Sequence, residues 1–215
     1  YVGFINVATD GSGNATISAT LTASVVAGAY ISATATKCDA TYSVFSDTSE
    51  FAQNVVATSP TTAPTITLPG AALNYTENDP ATIIDATATA SDADSPDFNT
   101  GTLTIDFTAN GTTNDRLAIR NQGTGAGQIG VSGANVTFGG VTIGTWTGGT
   151  GTTPLLITFN ASSTPAASQA LMRNITYANV SDAPSTAARS VRFVLTDGDG
   201  GTSNAATKTI NVTAV

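Results

Sequence analysis

Residues 15–25 read ATISATLTASV, and along them small or apolar side chains alternate with hydroxyl side chains. Ile17 and Leu21 fall on one face of an extended chain, while the intervening Thr and Ser residues fall on the other. A period of two is typical of a half-buried β-strand. Residues 29–38, AYISATATKC, repeat the alternation. The pattern therefore predicts an all-β fold.

The composition agrees with that fold and excludes several functions. The chain has 215 residues, which suggests one or two domains, and 21 of them are glycine. Thr and Val, which favour strands, are abundant, and glycine and asparagine punctuate them at turns. The net charge is −8 with seven scattered Lys and Arg residues, so nucleic acid is not an expected partner. No apolar run is long enough to span a bilayer.

The single cysteine and the first residues bear on the protein's context. Cys38 has no second cysteine to pair with inside the chain. It either pairs between chains, stays a free thiol, or is simply a small buried or half-buried residue, and these interpretations stay open. No signal peptide precedes YVGFINVAT at 1–9, which already has the composition of a strand. We therefore expect a mature piece or a fragment, with any targeting segment lost upstream.

Residues 1–58 carry three motifs of an Ig-like module. They are VATDGSGNATISATL at 7–21, VVAGAYISATAT at 25–36 and DTSEFAQNV at 47–55. The segment resembles the C-terminal part of an Ig-like module found in large secreted bacterial proteins, although it departs from that family at 37–46. The family's first strands have no counterpart, so the resemblance implies a partial sandwich with an exposed core face. Strands located upstream, or a strand donated by another molecule, would complete it.

A proline-rich linker precedes a second all-β region. Two prolines in SPTTAPTI favour a stiff, extended connection, and we place the linker at 59–64. Residues 65–215 contain many strand-like runs separated by Gly, Asn and Asp turns, which is typical of a β-sandwich. One stretch, TPAASQALMR, lacks glycine and begins with Thr-Pro, so it predicts a short helix near 165–173.

This second region resembles the cadherin-like modules of bacterial surface proteins. The motifs that carry the resemblance are YTENDPATIIDATATASDADS at 75–95, NDRLAI at 114–119, GQIGVSGANVTFGGVTIGT at 127–145, LLITFN at 155–160 and the run 170–203 that ends in LTDGDGGTS. They occur in the family's order along nearly all of the region. The resemblance implies tandem Ig-like and cadherin-like β-sandwiches.

The stretch SDADSPDF at 91–98 places three carboxylates within six positions. Like charges this close repel one another unless a cation lies between them. Ca²⁺ takes oxygen ligands in the loose geometry that loops provide. Solvated turns are the other interpretation, because Asp and Ser are common turn formers.

The cadherin resemblance implies a particular set of calcium ligands. It places Asp92, Asp94 and Asp197 together at the end of the domain that faces the linker, with Asp199 as an additional ligand. Glu77 precedes them and would bind calcium at the opposite end or not at all. The predicted cofactor is therefore Ca²⁺.

The residue inventory argues against an enzyme. With no histidine, the chain can form neither a Ser-His-Asp triad nor a Cys-His pair. We expect instead a structural or adhesive module at the cell surface or outside the cell, binding a cell-surface or glycan target, neighbouring domains of a longer protein or other copies of itself. A self-assembling filament subunit, with a donor strand from 207–215 or from the N-terminal segment, is the sharper form of this hypothesis. A carbohydrate-binding accessory module is the alternative, and an exposed Trp146 in a groove would favour it.

Overall fold

The structure divides the chain into a smaller and a larger compact unit. The computed structural model describes residues 2–18, 25, 28–39, 41–57 and 61–215. It divides the chain into two compact units, Tyr1–Pro60 and Thr61–Val215, called unit 1 and unit 2 below. Their identities as Ig-like and cadherin-like modules stay predictions.

Unit 2 contains thirteen strands and one helix among its described residues. The strands are β5 Thr65–Thr67, β6 Leu73–Thr76, β7 Thr82–Ile83, β8 Thr89–Ser91, β9 Thr102–Ala109, β10 Asp115–Ile119, β11 Ile129–Ser132, β12 Asn135–Phe138, β13 Val141–Gly148, β14 Leu155–Phe159, β15 Ile175–Asn179, β16 Arg189–Leu195 and β17 Ala206–Thr213. The helix, α1, spans Pro165–Met172. The all-β prediction with one short helix is confirmed.

The strands of unit 2 form one large sheet and two small ones. The large sheet has eight strands in the order β11-β12-β13-β14-β9-β16-β17-β6. The smaller sheets are β10-β15-β7 and β5-β8. All pairings are antiparallel except that of β17 with β6, which is parallel. A single core of 26 buried apolar residues draws on all three sheets and on α1.

The long strands β16 and β17 show how the sequence builds this core. Every second residue of β17 is buried, from Ala206 to Val212, and the residues between them are exposed. In β16 the buried residues are Arg189, Val191, Phe193 and Leu195. This is the period expected of a sheet with one face on the core. Two of the residues on the buried faces of these strands are nevertheless charged, Arg189 in β16 and Lys208 in β17.

Helix α1 begins where the sequence predicts. The Thr164 side chain accepts a hydrogen bond from the Ala167 N–H at 3.2 Å, and Pro165 occupies the first turn. A threonine N-cap followed by proline favours a helix start, because the first N–H groups lack intrahelical partners. Leu171 and Met172 are fully buried and fix the helix to the core.

Unit 1 has four short strands among its described residues. They are β1 Tyr30–Ile31, β2 Thr36–Cys38, β3 Phe45–Thr48 and β4 Val55–Val56, and they pair as β1-β4 and β2-β3. The expectation of a strand at 1–9 is wrong for the described residues 2–9, which have no strand partner among the described part of the chain. Most of the predicted strand at 15–25 lies outside the described residues, as do residues 59 and 60 of the linker.

Candidate functional site

The first aspartate loop of unit 2 is built around Asp92. Its Oδ1 accepts hydrogen bonds from the N–H groups of Asp94 and Ser95, both at 3.1 Å. These bonds form an Asp-centred turn at the end of β8. The other oxygen of the same carboxylate, Oδ2, is buried and has no hydrogen-bond partner.

The second aspartate loop is built around Asp197, which follows β16 and is fully buried. Its Oδ1 accepts three backbone N–H groups, from Asp199 at 2.8 Å, Gly200 at 3.0 Å and Gly201 at 2.9 Å. Its Oδ2 is buried without a partner. A Cβ at Gly201 would collide with this Oδ2, so glycine is required for the loop to close around the carboxylate.

The chain segment 61–63 lies between the two loops. The Thr62 N–H donates to Asp94 Oδ2 at 2.9 Å, and Thr61 Oγ1 donates to the Asp199 carbonyl at 3.4 Å. The Thr62 N–H also holds the pKa of the Asp94 carboxyl below its usual value. The loops of Asp92 and Asp197 therefore flank the same segment at one end of unit 2.

Glu77 lies at the other end of unit 2. Its Oε2 accepts the Val215 N–H at 2.9 Å, and its own N–H donates to the Thr213 carbonyl at 2.8 Å. Val215 follows β17, whereas Asp197 lies in the loop that precedes this strand. Eight extended residues span roughly 26 Å, so the structure separates Glu77 from the four aspartates.

The two aspartate loops share one unusual feature. The buried carboxylate oxygens Asp92 Oδ2 and Asp197 Oδ2 have no hydrogen-bond donor, and a buried unpaired oxygen is costly. A hard cation such as Ca²⁺ binds oxygens of this kind. As the side chains stand, no three acidic or cysteine side chains of the described residues lie at metal-binding spacing. Calcium therefore needs backbone carbonyls and water for its six to eight oxygens. The calcium ligands stay predictions.

Sequence analysis missed two buried ion pairs. In the first, fully buried Asp115 accepts hydrogen bonds from the Tyr177 hydroxyl and the Asn179 amide, both at 2.6 Å, and from the Thr112 N–H at 2.7 Å. The guanidinium of Arg189, also fully buried, lies 3.4 Å from Asp115 Oδ2. Burial acts to raise the pKa of Asp115, but these hydrogen bonds hold it below its ordinary 3.8.

The second buried pair joins Lys208 of β17 to Asp85, with 2.6 Å between Nζ and Oδ2. Lys208 also donates to the carbonyls of Leu68, at 2.9 Å, and Gly70. Asp85 Oδ1 accepts both the N–H and the hydroxyl of Thr87, which forms a turn between β7 and β8. The sequence does contain a sign of both pairs. Arg189 and Lys208 each stand at a position where the alternation of the strand calls for an apolar residue.

Trp146 is half-buried on β13 and packs against the core. Its indole N–H donates to the Gly133 carbonyl at 3.1 Å. A tryptophan held in this way offers only part of its ring as a flat surface for a sugar.

The fold and its loops define an all-β protein with two aspartate loops at one end of unit 2. No family model, curated protein or solved structure matches the chain. The one helix in the described part of the chain has eight residues, so no helix there is long and apolar enough to cross a membrane.

Proposed function

We propose that the chain is a structural and adhesive module of an extracellular bacterial surface fibre or large adhesin. In this role unit 2 is a calcium-stabilised spacer, and unit 1 is an incomplete β module that gains a strand from another copy. The exposed apolar surface of unit 1 is the observation that carries the proposal.

This surface differs sharply from that of unit 2. Eleven large apolar side chains of the described part of unit 1 are exposed, among them Phe4 at 74%, Phe45 at 65% and Phe51 at 80%. None of its described apolar residues is buried, whereas unit 2 buries 26 apolar residues and exposes only three large apolar side chains. Apolar surface on this scale marks an interaction site, and β1 to β4 offer backbone edges to an added strand.

Self-association through unit 1 is expected to give assemblies that grow with protein concentration, both with calcium and with a chelator. Replacing Val44 and Phe45 together by threonine should shift the size distribution toward monomer, because threonine keeps the strand propensity and removes apolar area. Sedimentation velocity over a range of concentrations measures this shift.

The matched control replaces two apolar residues of unit 2 with similar exposure, Val141 at 57% and Val180 at 58%, by threonine. This double variant should assemble as the wild type does. A wild-type chain that stays monomeric at every concentration contradicts self-assembly and favours completion of unit 1 by a neighbouring domain.

Calcium is expected to stabilise unit 2 against unfolding, by about 2.7 kcal/mol at roughly one hundred times its dissociation constant. Asp197→Asn should abolish this response. The variant keeps an acceptor for the three loop N–H groups but replaces the unpartnered Oδ2 by an amide. Urea unfolding followed through Trp146, the only tryptophan of the chain and part of unit 2, measures the effect.

Glu77→Gln serves as the control, because Glu77 lies at the other end of unit 2 from Asp197. It should retain the full calcium response. A wild-type midpoint that calcium leaves unchanged, or an Asp197→Asn variant that responds like the wild type, contradicts the proposed site and makes the aspartate loops turns only.

The half-buried Trp146 does not favour the carbohydrate-binding alternative, because its indole N–H is already bonded within the protein.

A further inference from the structure

Residues 2–9 form a segment that has no strand partner among the described residues. The segment is uncharged and rich in large apolar side chains, and those of Phe4, Ile5 and Val7 are exposed. Its composition is that of a strand, yet no described strand satisfies its backbone N–H and C=O groups. Such a segment is available to pair with a sheet edge elsewhere.

Unit 1 has a cavity of about 130 Å³ that this segment partly lines. Ile5, Asn6 and Val7 form one part of the lining, and residues of 34–38, including Cys38, form another. No lining residue is charged. The segment therefore lines a cavity of its own unit, although it pairs with none of the described strands.

The other candidate donor, the strand at 207–215, is held within unit 2. Most of it forms β17, which pairs with β16 on one side and with β6 on the other. Its alternate side chains are buried, and Lys208 belongs to a buried ion pair. Removing this strand would expose the core of unit 2, so residues 2–9 are the better donor.

Charge does not oppose a second copy as the acceptor at this contact. The chain carries a net charge of −8, so two copies repel wherever charged surfaces approach. Residues 2–9 and the cavity lining carry no charge, so copies can meet there without that repulsion. An exchange of identical elements also costs little, because contacts made within one copy are made again between copies.

We propose that residues 2–9 of one copy dock in unit 1 of the next, placing Ile5 and Val7 in the cavity that contains Cys38. In this arrangement, which runs head to tail, each copy donates its segment to the next copy and accepts a segment from the previous one. This inference rests on the proposed self-association and names the segment and the groove that produce it.

The natural thiol of Cys38 allows a direct test. Asn6→Cys adds a second thiol to the donor segment of the full chain. Under mild oxidation, docking between copies should link each new thiol to Cys38 of the next copy. A denaturing gel without reductant should then show trimers and larger species. A product that is only monomeric and has lost both thiols overturns the proposal, because the segment then occupies its own unit.

Three controls show whether the ladder, that is, the series of disulfide-linked species, requires both thiols at these positions. The wild type and the double variant Asn6→Cys with Cys38→Ser have one thiol per chain, so neither can pass the dimer. Ser12→Cys places the second thiol in an exposed turn outside the cavity lining, and it should give no ladder beyond the background of random collisions.

Sedimentation of the same samples separates this inference from the proposed function. Assemblies without a disulfide ladder overturn the assignment of residues 2–9 as donor while self-association stands. Monomers without a ladder overturn both. Assemblies with a ladder that requires both thiols support both.

Discussion

Asp115→Asn is expected to destabilise unit 2 by about 3–5 kcal/mol, the range for breaking a buried ion pair from one side. The two carboxylate oxygens of Asp115 accept bonds from Tyr177, Asn179, Thr112 and Arg189. An asparagine must turn its NH₂ group toward some of these donors, and it leaves the buried guanidinium without a counter-charge. Urea unfolding followed through Trp146 fluorescence measures the loss.

The control is Asp106→Asn, which removes the partner of Arg192. That pair has a distance of 2.6 Å, but the Arg192 side chain is 43% exposed, so a far smaller change is expected. Equal unfolding midpoints for Asp115→Asn and the wild type would show that the buried pair contributes nothing.

The effect of Asp115→Asn should also depend on pH in a defined direction. The folded-state pKa of Asp115 lies below its ordinary 3.8, so its ionised form stabilises unit 2 fully above that value. The contribution is lost as the pH falls from 3.8 toward the lower folded-state pKa. The stability difference between wild type and variant should therefore narrow only in that acid range.

Lys208→Met is expected to cost about 3–5 kcal/mol, because it leaves the buried carboxylate of Asp85 without its cation. The side chains of Lys208 and Asp85 are 4% and 1% exposed, so water cannot replace the lost partner. Asp85→Asn should cost a similar amount by leaving the ammonium group unpaired. The double variant should lose less than the sum of the single losses, by about 0.5–3 kcal/mol.

Unfolding of the four proteins in this cycle, again followed through Trp146, measures the coupling. Lys37→Met is the control, since Lys37 is an exposed lysine of unit 1 and the transition of unit 2 should not respond to it. Additive losses in the double variant would mean that the two charges do not stabilise one another.

The parts of unit 2 that could be predicted from the sequence are those that a local pattern encodes. Alternation marks β16 and β17, and Thr164-Pro165 marks the start of α1. Strand β6, Leu73–Thr76, cannot be predicted in this way, because it is short and its parallel partner β17 lies more than 130 residues later. A local pattern contains no information about such a pairing.

The candidate site was only partly predictable, for a similar reason. The turn motifs identify the loops of Asp92 and Asp197, and the structure places both beside residues 61–63. Which carboxylate oxygens lack a donor depends on the folded loops and on glycines such as Gly201. The strand expected at 1–9 shows that composition alone is not enough. Residues 2–9 have a strand-like composition, but a strand also needs a partner strand to pair with.

The parallel pairing of β17 with β6 has a mechanical consequence for a spacer. Residues 61–63 lie at the aspartate end of unit 2, and Val215 lies beside Glu77 at the other end. Tension applied between residue 61 and residue 215 would pull β17 along its own axis, against β16 on one side and β6 on the other. Hydrogen bonds run across the strands, so the two ladders are loaded in shear and must yield together rather than open one bond at a time.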